Sequence, residues 1–303
     1  MNKPRTQPEH PAVRQANRTS DYVLFWCIIF VCLCLLLVPI FFSAWFLGEL
    51  RLVEVGEQSV GLLFLQGVLE YIDVVVLLAA ALVFLLVSIR MMRQMYLANA
   101  LQVEYSAHAW LREWANTIAR DLDMPRVEVM ITQDPVMNAF AFGFARPYTI
   151  VLNSGTIRWT TKAQLQAIVL HEMAHIKYKH TQLSTYASLL RFIPLIGTFF
   201  GWLLDFWQRR CEFTADRLAL AYLQNKQQVR DALVSIHIGP DAAPAFNDVA
   251  QQWQAYNTEN TFNRLTQTFS SHPFLVRRLQ QLDALEPVLA PPKTSGVDNA
   301  PTA

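Results

Sequence analysis

The rhythm of hydrophobic and polar positions divides the chain into a polar start, two long apolar runs and a mixed remainder. Residues 1–20 are polar, with Pro4, Pro8 and Pro11, a composition that predicts a flexible tail. From Tyr22 to Gly48 there is no charged residue, and this run exceeds the about 20 residues needed to cross a bilayer. A cleaved signal peptide would carry an apolar region of only about 7–15 residues leading to a small-residue cleavage site. The run therefore reads as a retained anchor over about 22–48, with Trp26 and Trp45 toward its ends. An acidic loop with Glu49, Glu54 and Glu57 follows, then an apolar region from Val60 to Ile89 interrupted by Glu70 and Asp73. One helix over all of it would be about 45 Å long, too long for a hydrocarbon core of about 30 Å without strong tilt. The second span is therefore predicted at about 72–89, with Ser59–Leu69 at the interface or packed on the first span, closing a transmembrane region of 21–94.

Beyond it the periods are those of a folded domain over 95–286. Met91 to Asp121 reads as one helix, with Trp110, Trp114 and Ile118 on one face and Met124-Pro125 as the stop. Val127–Ile131, Ala139–Phe144 and Tyr148–Leu152 read as strands of a small antiparallel sheet, the last two joined as a hairpin through Ala145-Arg146-Pro147. Thr161 and Gln164 form a capping-box pattern that opens a helix from Lys162 to about His180. Helices are also predicted from Trp207 to about Gln224, Gln227 to Ile238 and Pro273 to Leu285, before a Pro-, Ala- and Thr-rich disordered tail over 287–303. The fold class is α+β, mainly α.

Composition agrees with a membrane protein: 53% of residues are hydrophobic and 16% charged, against about 25% charged in soluble domains. A net charge of +1 without a basic run gives no footprint for nucleic acid. Lys3, Arg5, Arg14 and Arg18 precede the first span, Arg90 and Arg93 follow the second, and Arg51 alone lies between. The positive-inside rule then places the N-terminus and everything after Arg90 in the cytoplasm.

The chemistry centres on His171-Glu172-Met173-Ala174-His175, an HExxH pattern on a predicted helix. Residues four apart share a helix face, so one Zn²⁺ can bond a nitrogen of each ring while Glu172 beside it serves as a base. Hydrolytic zinc sites usually take a third protein ligand. His180 lies about 140° round the helix from His175 at 100° per residue, and Tyr178 and Thr181 stand where the longer three-histidine pattern needs Gly and His. Glu212 and Asp216, one helical turn apart, supply the better pair: Glu212 for the metal, Asp216 for the N–H of a ligating histidine. In a zincin, a sheet edge can take an extended peptide as an added strand, and Asn138–Gly143 is the candidate edge. Cys27, Cys32 and Cys34 lie in the first span and Cys211 beside Glu212, so no disulfide framework is indicated.

Together, HEMAH at 171–175, EFTAD at 212–216, Asn138-Ala139-Phe140-Ala141, and Ser271-His272-Pro273 leading to Arg278-Leu279 resemble the HtpX and CAAX prenyl protease family of membrane zinc endopeptidases. The resemblance covers roughly 20–285 and implies a gluzincin core with His171, His175 and Glu212 on one Zn²⁺ per chain and Glu172 as catalytic base. It further implies catalytic support from His272 and Arg278, and substrate binding along Asn138, Ala139, Phe140 and Ala141. The implied role is hydrolysis of misfolded or membrane polypeptides in quality control or stress response, at a bacterial inner membrane with the catalytic domain facing the cytoplasm. HtpX-type chains usually carry two apolar segments between HExxH and the glutamate, whereas this one has a single segment, about 186–207, broken by Arg191, Pro194, Gly197, Gly201 and Asp205. A single crossing would put Glu212 on the wrong side of the membrane, so the segment is predicted to be a re-entrant or interfacial hairpin turning near Pro194–Gly201. The alternative is a catalytically silent membrane adaptor or holdase of the same fold, which would keep the spans but lose a ligand or Glu172; all are kept here.

Overall fold

The computed structural model describes residues 10–17, 19–54, 60–142, 144, 146–188, 191, 197–268 and 272–289. The predicted flexible tail is corrected in its second half, because Pro11–Ala16 is a short helix, α1. Pro11 suits its first turn, His10 Nδ1 accepts the Ala12 N–H at 3.2 Å, and Ala12, Val13 and Ala16 are buried. A six-residue helix is too short to show a period, so its burial was invisible in the pattern. Residues 1–9 of that tail lie outside the described residues.

Two long apolar helices follow, α2 (Thr19–Glu54) and α3 (Val60–Leu97). Helix α3 is continuous from Val60, so no break in the backbone sets 60–69 apart from the predicted second span. Glu70 and Asp73 marked a boundary of polarity, but a charged side chain leaves the i→i−4 backbone hydrogen bonds intact. Among the described residues Val75–Leu97 is long and apolar enough to cross a membrane, with a mean hydropathy of 2.6, and Thr19–Leu35 is a shorter apolar stretch. Val75, Leu77 and Phe84 are 61%, 70% and 74% exposed, so this helix turns an apolar face away from the protein.

The single helix predicted over 91–121 is broken. The chain instead forms β1 (Leu101–Gln102), a 3₁₀ turn at Val103–Tyr105 and α4 (Trp110–Asp121). Ser106 explains the break, since its hydroxyl donates to the Val103 carbonyl at 2.7 Å and accepts the His108 N–H at 3.0 Å, competing with helical hydrogen bonds. Leu111, Ala115, Ile118 and Ala119 make the buried stripe of α4, while Trp110 and Trp114 pack at its margin.

Three strands were predicted close to where they lie: β2 (Val127–Thr132), β3 (Ala139–Phe142) and β4 (Tyr148–Asn153). The predicted antiparallel pairing of β3 with β4 forms, but the rest of the arrangement differs. The sheet order is β1-β2-β4-β3, with β2 and β4 parallel and the other pairs antiparallel, so the sheet is mixed rather than antiparallel. Strand β4 inserts between its predecessors because Ile150, Val151 and Leu152 form a continuous apolar run, fully buried, that belongs at the centre of a sheet. Strand β3 is left on an edge, as expected of Asn138–Gly143, although Gly143 lies outside the described residues.

The remainder is helical: α5 (Ser154–Trp159), α6 (Lys162–Lys177), α7 (His180–Ala187), α8 (Gly197–Leu223), α9 (Lys226–Ile238), α10 (Asp248–Thr258), α11 (Thr261–Thr268) and α12 (Leu275–Leu289). Helix α12 continues past the predicted limit at Leu285 into the tail, and 290–303 lie outside the described residues. The predicted capping box forms, with Gln164 N–H on Thr161 Oγ1 at 3.2 Å and Thr161 N–H on Gln164 Oε1 at 2.8 Å. Helix α6 runs through the core, with Leu165, Ile168, Val169, Leu170, Met173 and Ala174 buried among α8, α9 and the sheet. Helix α8 begins ten residues before the predicted Trp207, at Gly197, and its first half packs on α2 through Phe200, Leu204 and Trp207 against Phe25, Ile28 and Cys32. Of the turn predicted near Pro194–Gly201, residues 194–196 lie outside the described residues, and Gly197–Gly201 is corrected to the first turns of α8.

The start of β3 is held by the β4–α5 corner. Thr156 Oγ1 accepts the Asn138 N–H at 2.8 Å and donates to the Asn138 carbonyl at 2.7 Å, and Gly155 N–H reaches the Asp134 carbonyl at 2.9 Å. A Cβ on Gly155 would overlap the Pro135 carbonyl group. Gly155→Ala should therefore destabilise the protein by about 1–3 kcal/mol, the usual cost of overpacking a fixed backbone contact. Urea denaturation of the detergent-solubilised protein checks this; an unchanged midpoint would show that the corner relaxes.

Candidate metal centre

Three segments deliver the site: the second half of α6, the middle of α8, and the approach to α12. Helix α6 sets His171 and His175 on one face, with their Nε2 atoms 3.1 Å apart. Helix α8 brings Glu212, whose Oε2 lies 3.2 Å from His171 Nε2 and whose Oε1 lies 3.7 Å from His175 Nε2. One donor atom from each residue can be chosen such that all lie within 4.8 Å of one another. Two nitrogen lone pairs and a carboxylate converging in this way call for a cation between them. Tetrahedral bonds of about 2.0–2.1 Å would put donors about 3.3 Å apart, so a His₂Glu set at these separations fits Zn²⁺ in both spacing and chemistry.

The supporting contacts are equally specific. Asp216, one turn beyond Glu212, places Oδ1 2.9 Å from His171 Nδ1, which holds the proton on that nitrogen and leaves Nε2 as a lone-pair donor. Arg278 on α12 donates to Asp216 through Nε at 2.7 Å and Nη2 at 2.5 Å, and its Nη1 lies 3.2 Å from Glu212 Oε2. His272, just before α12, sets Nδ1 3.2 Å from Glu212 Oε1. Glu212, Asp216 and Arg278 are all buried.

Burial alone would raise both carboxyls, but the Arg278 guanidinium overrides it. It holds Glu212 well below the usual carboxylate range, helped by His171 and His272, and with His171 it takes Asp216 down to about 2. His272 is shifted upward by its hydrogen bond to Glu212. Glu172 behaves in the opposite sense: burial pushes its carboxyl up to about 7, opposed by His171 and reinforced by Glu212. A carboxyl poised near neutrality suits a group that takes and returns a proton.

The sequence-predicted residues His171, Glu172, His175, Glu212, Asp216, His272 and Arg278 thus gather in one cluster. Asn138, Ala139, Phe140 and Ala141 lie along β3, which packs on α6. Asn138 is exposed, Ala139 is buried, and the Phe140 ring meets Tyr96 of α3 at 5.6 Å. Sequence reasoning missed His237 on α9. Its Nδ1 donates to the Leu233 carbonyl at 2.8 Å, leaving Nε2 as an acceptor 3.3 Å from Arg278 Nη1. The i−4 carbonyl bond is local and readable in principle, but the partner that matters comes from 41 residues away.

Removing Arg278 would strand two buried carboxylates. Arg278→Ala should cost about 3–5 kcal/mol of stability, and Arg278→Lys should recover only part of it because an ammonium cannot replace the planar fork on Asp216. Urea melts of the three proteins decide this; full stability in the lysine variant would mean that charge alone is required.

The sequence model of peptidase family M48 matches residues 105–286. A chloroplast metallopeptidase of Arabidopsis thaliana, plastoglobule-localized metallopeptidase 48, is 29% identical over 184 residues, covering 54% of this chain and 53% of that protein. Homologues of protease HtpX from Moorella thermoacetica and Bacteroides fragilis are 27% and 25% identical over 204 and 210 residues, covering 54% and 55% of this chain and 68% and 65% of theirs. The chain therefore spans about half the length of the Arabidopsis relative and about two thirds of the bacterial ones. The crystal structure of S. mikatae Ste24p aligns with a TM-score of 0.41 at 18% identity, covering 86% of this chain and 66% of that one. With its family match running from the 3₁₀ turn to α12 and enclosing every residue of the cluster, this chain belongs to peptidase family M48.

Proposed function

We propose that this protein is a membrane-anchored zinc endopeptidase, and the observation that carries the reading is the convergence of His171, His175 and Glu212 beside Glu172. Those three residues would hold the metal. Bound there, Zn²⁺ supplies a Lewis acid for the scissile carbonyl and an acidified water. With that water in place, the Glu172 carboxylate would take its proton and return it to the leaving amine. Asp216 keeps the His171 tautomer, and Arg278 keeps Asp216 and Glu212 ionised. His272, the most exposed member with 66% of its side chain open, is placed to donate to charge developing on the substrate. The substrate is an extended polypeptide added as a strand to the β3 edge along Asn138–Ala141, read mainly through its backbone.

The anchoring reading joins α2 and α3 as two spans, with the peptidase domain over 95–286 on the cytoplasmic face of a bacterial inner membrane. It rests on the uncharged run 22–48, the exposed apolar face of Val75–Leu97 and the Lys/Arg asymmetry. Misfolded or membrane polypeptides are the matching substrates, in quality control or stress response. The segment 186–207 enters and leaves by the same face, since His171, His175 and Glu212 must share one metal.

Glu172→Gln should keep about one zinc per chain and lose about 10²–10⁴-fold of casein cleavage. Glu212→Ala should lose the metal itself. Metal analysis and cleavage assays on the purified proteins decide this, and full activity in Glu172→Gln would overturn the mechanism. For topology, single cysteines at Thr181 and Gln208, in a background lacking Cys27, Cys32, Cys34 and Cys211, should both be labelled from the cytoplasm. A cysteine at Gln58 should be labelled from the periplasm. Opposite labelling of Thr181 and Gln208 would mean a true crossing and would end the shared-metal reading.

A further inference from the structure

His180 stands outside the three-ligand set, yet it is buried to 5% exposure in the wall of the metal centre. On an unbroken helix it would face about 140° away from His175 at 100° per residue. The helix does break. Lys179 takes a left-handed conformation, φ 58 and ψ 23, between α6 and α7. A residue without glycine's freedom is seldom found there, and such conformations persist where the surroundings hold them. The consequence is that the His180 ring swings back toward the site, and its Nδ1 lies 3.2 Å from Nδ1 of His175. Tyr178 stacks on the ring at 5.7 Å and Trp207 meets it edge-on at 6.0 Å, so two large rings flank it.

The tautomers follow from the geometry. His175 Nε2 faces His171 and Glu212, so as a ligand it must be unprotonated and Nδ1 must carry the hydrogen. That Nδ1–H needs a buried acceptor. His171 has Asp216 for this purpose; for His175 the facing atom is His180 Nδ1, which accepts when His180 carries its own hydrogen on Nε2. A neutral partner is also the less costly choice here, because Glu172, Glu212 and Asp216 already surround the site with Arg278 as their buried cation.

We infer that His180 is a positioning residue of the metal centre: through Nδ1 it accepts the His175 Nδ1–H, fixing the tautomer and ring orientation that present His175 Nε2 to the metal. The inference rests on the zinc reading above. It assigns His180 no bond to the metal, and it gives the kink at Lys179 a purpose.

The test uses substitutions that place a polar atom differently. The amide oxygen of Asn can occupy the place of a histidine Nδ1, whereas that of Gln reaches toward Nε2, and Phe keeps the ring without an acceptor. The full chain is purified in detergent and stripped of metal, and its thermal melt confirms folding. Zinc affinity is then measured by competition with a chelating dye, and the cobalt-substituted proteins are compared by visible absorption. His180→Asn should bind zinc close to wild type and keep the cobalt bands. His180→Gln and His180→Phe should bind about 10–100-fold more weakly, with shifted bands. If His180→Phe fails to fold, the contrast between Asn and Gln decides. Equal, tight zinc binding in all folded variants would overturn this inference and leave the zinc reading intact. A wild-type protein that binds no zinc would overturn both.

Discussion

The structure depends on one buried guanidinium. Arg278 holds Asp216 through two hydrogen bonds, approaches Glu212 at 3.2 Å and rests against His237. Two carboxylates one helical turn apart on α8, both withdrawn from water, would repel each other and take up protons if left alone. A protonated Glu212 is a poor metal ligand, and a protonated Asp216 cannot accept the His171 Nδ1–H. The acidity that the metal centre needs is therefore supplied from α12, more than sixty residues along the chain. This is why the peptidase domain cannot end with α8. Helices α9 and α12 close the core around α6 and α8, bringing Arg278 and its His237 support to the back of the site.

The rigidity of α6 is the second half of the same design. Half of its side chains are buried, its first turn is closed by the Thr161–Gln164 box, and its C-terminal Lys177 donates to the Leu122 carbonyl. His171, Glu172 and His175 are half-buried in the middle of this otherwise buried stretch. A helix with so little freedom can hold two rings at 3.1 Å through ordinary packing, and β3 packs directly against it.

How much of this was legible depends on whether an interaction is local. The HExxH pair, the Glu212–Asp216 pair and the capping box repeat at helical spacing, so they could be read directly. His272 and Arg278 were placed only by resemblance to a family, because no period links them to α8. The kink at Lys179 changes where the His180 ring lies but not its exclusion from the ligand set, since the 100° rule describes a straight helix and the chain is not straight there. The sheet failed differently. Strands β2, β3 and β4 were recognisable from their apolar runs, but the insertion of β4 between β2 and β3 is a choice of non-local partners that successive hairpins do not predict. Helix α1 and strand β1 are shorter than the windows in which periodicity can be counted.

Hydrogen bonds join the apolar helices to the remainder of the described chain, and they fall on the elements that carry the candidate site. At the start of α2, buried Asp21 accepts from Arg210 at 3.0 Å and from Thr214 at 2.6 Å, and its carbonyl accepts the Trp207 indole N–H at 3.0 Å. These three residues lie on α8, within two turns of Glu212. Next to them Tyr22 donates to the Tyr178 carbonyl at 2.6 Å, at the end of α6, and the Tyr178 hydroxyl reaches Val13 of α1 at 3.2 Å. Helix α3 makes the matching joint at the sheet: Arg93 donates to Thr149 Oγ1 of β4 at 2.9 Å, and Tyr96 packs on Phe140 and Phe142 of β3. One apolar helix is thereby fixed to both metal-site helices and the other to the exposed edge strand. A buried, charged hydrogen-bond network of this kind resists sliding in a way that apolar packing alone does not. The candidate metal centre and the strand edge are therefore each tied to one of the apolar helices.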